Sequence, residues 1–391
     1  MAPVRVGHPA RVAAVLEALT LDARVEADGA TELVRDWRDR ARDLRKRGWA
    51  RRDRALLDEA RALERDARRE LARTEQAILA SARVVLATCA GAEHPALRDH
   101  HFDVVVLDEA TQAVDPLALV ALLRAPCAIL AGDPEQLPPT VIDPAVARAG
   151  LGTTFFERLA RAHAADAATG VAPMLLVRQH RMHEDIMRFP SQATYGGQLV
   201  AAPEVAHHRL ENLGVAPDPG RPGAVWFIDC AGKDWLDQRG GLDPDDDEVA
   251  DPSTWNPGFA DRTAAEVRRL IARGLAPERI AVIAAYDAQV RRLRRLLEHE
   301  RDHGLEVATV DAFQGREQEA VIVDLVRSNE RGEIGFLAEI RRMNVALTRA
   351  RRCLVVIGDS ATLGDHPYYA AFVGAMDELG AHGSAWADDA P

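Results

Sequence analysis

The chain has 391 residues, 47% of them hydrophobic, with four cysteines and a formal net charge of −12. That length and apolar content suffice for two domains with sizeable cores. No run of about 18 apolar residues and no signal-peptide pattern at the start points to a membrane, so a cytoplasmic protein is expected. The acidic balance argues against a protein that coats nucleic acid indiscriminately, since phosphate contacts bring a basic footprint.

Residues 31–80 are dominated by Arg, Ala, Leu and Glu with no proline, which predicts a helical hairpin broken near Gly48. Its apolar stripe is read through Leu33, Trp37, Leu44, Trp49, Leu56, Leu57, Leu63 and Leu71, with mixed charges outside. Strands are expected at 83–87, 104–107 and 127–131, then a helix at 151–165. From about residue 174, strands at 225–228, 280–284, 307–310, 321–325 and 354–357 alternate with helices at 262–273 and 288–299. This alternation builds parallel sheets, so the fold class is α/β. Residues 243–251, rich in Asp and Pro, read as a mobile loop. Cys89, Cys127, Cys230 and Cys353 lie in or beside apolar runs without a Cys-x-x-Cys pair, and are expected to be buried structural thiols.

The strand at 104–107 ends in Asp108-Glu109. One carboxylate there can hold Mg²⁺ and a second can polarise an attacking water. Taken alone, a strand ending in solvated acids is the commoner meaning. The strand at 127–131 changes the weighting, because it delivers Gly132, Asp133 and Gln136 to the same sheet edge, where ligands of open α/β sheets gather.

These two strand ends resemble motifs II and III of superfamily-one helicases. Val177-Arg178-Gln179-His180-Arg181-Met182-His183 resembles the family's Gln-Tyr-Arg-Met motif, and Ala285-Tyr286-Asp287-Ala288-Gln289 its Pro-Tyr-x-x-Gln motif IV. The stretch from Val310 to Glu317 is similar to motif V, and Met343-Asn344-Val345-Ala346-Leu347-Thr348-Arg349-Ala350-Arg351-Arg352 to motif VI. The branch that fits is the one containing the nonsense-mediated-decay and immunoglobulin-mu-binding helicases. The resemblance implies two RecA-like domains, an incomplete first one at 1–173 carrying the hairpin as an insertion and a second at 174–391. It implies ATP and Mg as cofactors, with Asp108 on the metal and Glu109, Gln136, Arg181 and Arg349 catalytic. Gln179, His180, Tyr286, Gln314, Gly315 and Glu317 would contact the nucleotide. Single-stranded DNA or RNA would be the partner, held by Thr88, Pro138, Pro139 and Thr309, with Arg35, Arg42, Arg45 and Arg47 of the hairpin as further contacts and movement 5′ to 3′. His180 stands where the family has tyrosine, which weakens the expected stacking on a base.

A phosphate-cradling loop needs Gly-x-x-x-x-Gly-Lys followed by Ser or Thr. Lysine occurs only at Lys46 and Lys233, and neither has that context. The resemblance therefore implies a helicase core lacking this loop, weak in ATP hydrolysis by itself, with an upstream chain as the supplier of the loop. An open sheet edge and low solubility are expected to accompany it. The alternative is a non-catalytic nucleic-acid-binding or scaffold protein with the same fold.

Overall fold

The computed structural model describes residues 3–7, 13–165, 173–240 and 253–387. The acidic stretch 243–251 lies outside the described residues. The chain divides into two compact units, one of residues 1–133 with 138–171, the other of 172–391 with 134–137.

In the first unit, the hairpin forms as α2 (Ala30–Arg51) and α3 (Arg54–Ser81), preceded by α1 (Leu21–Ala27). The break is not at Gly48 but at Arg52-Asp53. Arg52 takes a left-handed φ of 50°, and the Asp53 carboxylate caps α3 by accepting from the N–H groups of Ala55 and Leu56. Such a cap satisfies donors that a helix start leaves orphaned. Gly48 instead lies inside α2, where an added Cβ would come within 2.8 Å of Leu57 Cδ2. The expected leucine and tryptophan stripe holds in part. Leu44 is buried with Ala41 and Ala60, and Leu56 and Leu63 pack against them, whereas Leu33 and Trp49 are exposed; the other buried positions include the small Gly48 of α2 and Ala67 of α3. Small side chains let two long helices approach closely, which a leucine count does not reveal.

β1 (Val4–Arg5) pairs in parallel with β2 (Val85–Leu86), and β3 (Val104–Leu107) with β4 (Cys127–Leu130), separated in sequence by α4 (Asp115–Leu122). Parallel strands are normally covered on both faces. Here Val104, Val106, Ile129 and Cys127 are exposed on the β3–β4 pair. Cys127 thus corrects the expectation of four buried thiols; Cys230 is buried, while Cys89 and Cys353 are half-buried. The expected helix at 151–165 is shorter, α5 (Phe155–Ala165).

The second unit begins with β5 (Arg178–Gln179), α6 (Glu184–Thr194) and β6 (Val200–Ala201). Its centre is a six-stranded parallel sheet made of β7 (Val225–Asp229), β8 (Ile280–Ala284), β9 (Glu306–Thr309), β10 (Gln318–Asp324), β11 (Ala350–Gly358) and β12 (His382–Ser384), in the order β9-β8-β10-β11-β7-β12. Helices α7 (Pro257–Ala272), α8 (Asp287–Leu296), α9 (Ile340–Leu347) and α10 (Pro367–Glu378) join the strands. Successive strand residues point to opposite faces. Ile283, Val323 and Val356 therefore enter one core with Phe227, Tyr369 and Phe372, whereas Val282, Ile322 and Val355 enter another with Phe259 and Leu293. Among the described residues no helix is long and apolar enough to cross a membrane.

Candidate nucleotide and nucleic-acid site

In the first unit β3 delivers Asp108 and Glu109 to its carboxyl end, both exposed. Glu109 has φ +51°, a left-handed conformation that is uncommon for residues other than glycine and is found at functional positions. Its N–H donates to Asp108 Oδ1 at 3.0 Å, and its Oε2 accepts from Gln112 Nε2 at 2.6 Å. The next turn is tied to β4, with the Ala110 N–H donating to the Ala131 carbonyl at 2.7 Å. A side chain at Gly132 would come within 3.0 Å of the Thr111 nitrogen, so only glycine fits the strand end without displacing the backbone that carries the two acids.

The nucleic-acid candidates of this unit have local partners. Thr88 Oγ1 accepts from the Gly91 N–H at 3.0 Å, a capping contact. Pro138 is half-buried and Pro139 buried. Arg42 pairs with Asp39 at 3.2 Å, Arg47 with Asp43 at 3.3 Å and Arg45 with Glu64, while Arg35 is exposed. These are solvated ion pairs of the kind that contribute little to stability and can exchange partners.

In the second unit the segments carrying the resemblance converge. Gln179 builds the turn that follows β5: its Oε1 accepts from the N–H groups of Arg181 at 2.8 Å and Met182 at 2.7 Å, and its Nε2 donates to the Met182 carbonyl at 2.8 Å. Arg181 then reaches motif V and motif VI, with Nε on Glu317 Oε2 at 2.6 Å and Nη1 on the Thr348 carbonyl at 3.1 Å. Arg349, only 3% exposed, donates to the carbonyls of Val345 and Arg316 and, through Nη2, to Gln136 Oε1 at 3.1 Å. Gln136 belongs with this unit rather than with the strand that precedes it. The Arg351 carbonyl accepts from both the His183 N–H at 2.9 Å and His208 Nε2 at 2.6 Å. Burial keeps both imidazoles below the usual histidine range, and for His208 the neighbouring Arg352 and Arg351 add to the effect.

Three buried polar atoms in these segments have no hydrogen-bond partner, Gln314 Nε2, Asn344 Oδ1 and Arg351 Nε. Asn344 itself is fully buried, with Nδ2 donating to the Glu135 carbonyl and to Tyr195 Oη. Unsatisfied buried groups are costly, so they mark places where a polar ligand would restore the balance. Gly315 has φ +75° and lies exposed beside them.

Other candidates are engaged elsewhere. His180 is exposed and its Nδ1 lies 2.6 Å from Glu204 Oε1; hydrogen bonds from the backbone and from His180 hold that carboxyl below the usual range. Thr309 Oγ1 accepts from the Ala312 N–H. Tyr286 is buried, its ring 5.3 Å from that of Phe336. Gln289, the last residue of the motif IV stretch, is fully buried and donates to Asp324 Oδ2 at 2.6 Å. Asp324 also accepts from Thr263 and the Val326 N–H, and complete burial pushes its carboxyl up to about 6. The sequence reading missed this network, although a charged residue closing the apolar run Val321-Ile322-Val323 is its visible signal. Val326 follows with φ +68°, a strained conformation for a β-branched residue.

The residues present fit part of a magnesium nucleotide. Two exposed carboxylates offer hard oxygen donors of the kind that suit Mg²⁺, which is commonly held by one or two carboxylates together with substrate phosphates and water. The orphan Gln314 amide donor and the paired arginines suit phosphoryl oxygens. A phosphate cradle with lysine is not among the 391 residues.

A six-stranded parallel sheet flanked by helices, with Arg349 bonded to Gln136 and Arg181 to Glu317, defines a RecA-like nucleotide-hydrolase fold. Residues 151–361 match a family model described as an AAA domain, and residues 1–144 match a second of the same description. The chain is 41% identical over 390 residues to the DNA-binding protein SMUBP-2 of Mesocricetus auratus, covering 96% of this chain and 38% of that one. It is 35% identical over 367 residues to the DNA polymerase alpha-associated DNA helicase A of Schizosaccharomyces pombe, covering 92% and 53%. It is 34% identical over 306 residues to Regulator of nonsense transcripts 1 of Dictyostelium discoideum, covering 76% and 22%. The chain belongs to the superfamily-one helicases, in the branch that includes these proteins. It spans 38% of the length of the first of these relatives and 53% of the second.

Proposed function

We propose that this chain is the motor part of an ATP-dependent translocase or helicase that moves 5′ to 3′ on single-stranded DNA or RNA. The observation that carries the reading is the meeting of Arg181, Glu317, Arg349 and Gln136, four residues from four segments, within hydrogen-bonding range in pairs. Bound Mg-ATP would supply the transferable phosphoryl group and a divalent cation. Asp108 would hold the cation, and Glu109 would take the proton from an attacking water. Arg349 and Arg181 would neutralise charge on the transferring oxygens, with rigid guanidinium forks already fixed by carbonyl and carboxylate acceptors. Gln179 would set the position of Arg181 through its backbone, and Gln314, Gly315 and Glu317 would line the same place. The reading requires both residue sets to act on one nucleotide. Among the relatives, the printed names "DNA-binding protein" and "DNA helicase" support nucleic acid as the partner. His180, Tyr286, Thr88, Thr309, Pro138 and Pro139 remain in the reading as nucleotide or nucleic-acid contacts, as do the hairpin arginines, and the protein would act in the cytoplasm.

Without a phosphate loop the 391 residues alone should hydrolyse ATP weakly. Each lost charge-assisted hydrogen bond is worth roughly 1.5–3 kcal/mol, and a loop supplied from an upstream chain would restore them. The test is nucleic-acid-stimulated ATPase of this chain beside a form extended by a Gly-Lys-Thr loop. Activity in the extended form alone, lost in Glu109→Gln, is expected. Stimulated activity in the short chain would refute the dependence on the loop. Silence in both would favour a second reading, a non-catalytic nucleic-acid-binding scaffold with the same fold.

A further inference from the structure

We propose that Phe336 is a base-stacking residue for single-stranded nucleic acid. The inference rests on the nucleic-acid reading above and adds a contact that none of the helicase motifs supplies.

Phe336 is 62% exposed, yet the turn that carries it is held at its own N–H and at the residue that follows. Its N–H donates to Tyr286 Oη at 3.0 Å, and the same hydroxyl lies 3.5 Å from the Ile334 carbonyl. The next residue, Leu337, is buried, and its carbonyl accepts from Tyr369 Oη at 2.8 Å. Gly335 has φ +56°, and an added Cβ would sit 2.4 Å from Tyr286 Oη. That glycine is therefore required twice, by its conformation and by the close approach of the tyrosine. One face of the Phe336 ring rests near Tyr286, with centroids 5.3 Å apart and planes at 32°. A large apolar ring is thus displayed to solvent by a turn that has already lost its conformational freedom, so a ligand would not have to order it.

The ring stands in the connection from β10 to α9, which leaves the carboxyl edge of the parallel sheet. Arg342, at the start of α9, lies with its guanidinium 5.8 Å from the ring centroid and its Nε 3.3 Å from Asp311 Oδ2. Asp311 belongs to the turn that follows β9 and Thr309. The ring is therefore linked to motif IV through Tyr286 and to motif V through Arg342. Its exposed sequence neighbours Arg331, Glu333 and Glu339 are polar, so this is a lone ring rather than the contiguous apolar patch that a protein partner would cover. A planar nucleobase matches one ring with a cation beside it: the base stacks, and Arg342 can exchange Asp311 for a phosphate oxygen.

The test compares binding of labelled oligo(dT) and of a matching abasic sugar–phosphate oligomer by the full chain and its variants. Phe336→Ala is expected to bind oligo(dT) about 5- to 100-fold more weakly, the range for loss of one stacked base, and to bind the abasic oligomer as before. Phe336→Trp should keep the affinity and, over the emission of the six native tryptophans, show an added component that oligo(dT) quenches beyond any quenching of the unaltered chain. Unchanged oligo(dT) binding by Phe336→Ala, or an equal loss on the abasic oligomer, would overturn the inference and leave the helicase reading intact. No binding by the unaltered chain would overturn both.

Discussion

Arg349 Nη2 donates to Gln136 Oε1 at 3.1 Å, joining residues 213 positions apart in sequence. The guanidinium also donates to the carbonyls of Val345 and Arg316. These three neutral acceptors hold the plane of the guanidinium in one orientation. Arg349→Lys keeps the charge but cannot reproduce a planar fork of three donors. In a form bearing a phosphate loop, kcat is expected to fall about 10³-fold or more for Arg349→Ala, the order found for arginine fingers, with Arg349→Lys rescuing little. Steady-state phosphate release measures it, and a lysine variant with full activity would remove Arg349 from the chemistry.

The hairpin seam is tight. Gly48→Val places a branched side chain where a single Cβ already meets Leu57 Cδ2 at 2.8 Å and the Asp53 carbonyl at 3.2 Å. Overpacking of this kind costs typically about 1–3 kcal/mol. Thermal unfolding followed by the helical circular-dichroism signal should shift downward, whereas Trp49→Gln, at an exposed position, should leave it within about 0.5 kcal/mol.

Asp324 gives stability an acid-side component of unusual sign. An unfolded aspartate ionises near pH 4, while burial keeps the folded carboxyl protonated up to about 6. Between those values the native state holds the extra proton, so this group's contribution falls as pH rises through the window and stays lower above it. Denaturant midpoints of the unaltered chain and Asp324→Asn, compared from pH 4 to 7, should diverge by up to roughly 3 kcal/mol. A constant difference across that range would contradict the buried assignment.

His208 acts in the opposite direction. Its folded pKa is lowered by burial, so as pH falls below about 6.5 the unfolded chain takes up a proton that the native state resists. Stability is lost on that side. His208→Gln keeps a donor for the Arg351 carbonyl and should show a shallower loss between pH 6.5 and 5 in the same denaturation series.

The β3–β4 pair leaves Val104, Val106 and Ile129 exposed. Two parallel strands with apolar faces in water invite pairing with other chains. The purified chain is expected to associate with rising concentration in light scattering, and Val106→Lys with Ile129→Thr should reduce that association. A monodisperse unaltered chain would contradict the expectation.

Much of the architecture was legible from residues alone. The apolar run Ile280–Ala284 became a strand with those limits, and the Asp-Glu end of β3 and the arginines of the two later motifs could be named in advance. The Gly48 break and the exposed members of the stripe, Leu33 and Trp49, differ from expectation for one reason: helical propensity and apolar spacing describe a helix by itself, whereas Ala41, Gly48, Ala60 and Ala67 are buried where a second helix covers them. The same reason holds for Cys127, whose apolar neighbours signal burial only if the strand is covered. For Gln179, which the resemblance places on the nucleotide, the structure adds what the sequence does not show, hydrogen bonds from the backbone of Arg181 and Met182.

By itself the sequence determined the fold class, the family and the residue types of the chemistry, because strand and helix periodicity and motif spacing are local properties written along the chain. The tertiary structure alone decided that Arg349 meets Gln136, that burial pushes the Asp324 carboxyl up to about 6, and that Phe336 stands exposed on a pinned turn. Each of these depends on side chains distant in sequence being brought within a few ångströms, where burial and hydrogen bonding set their energies.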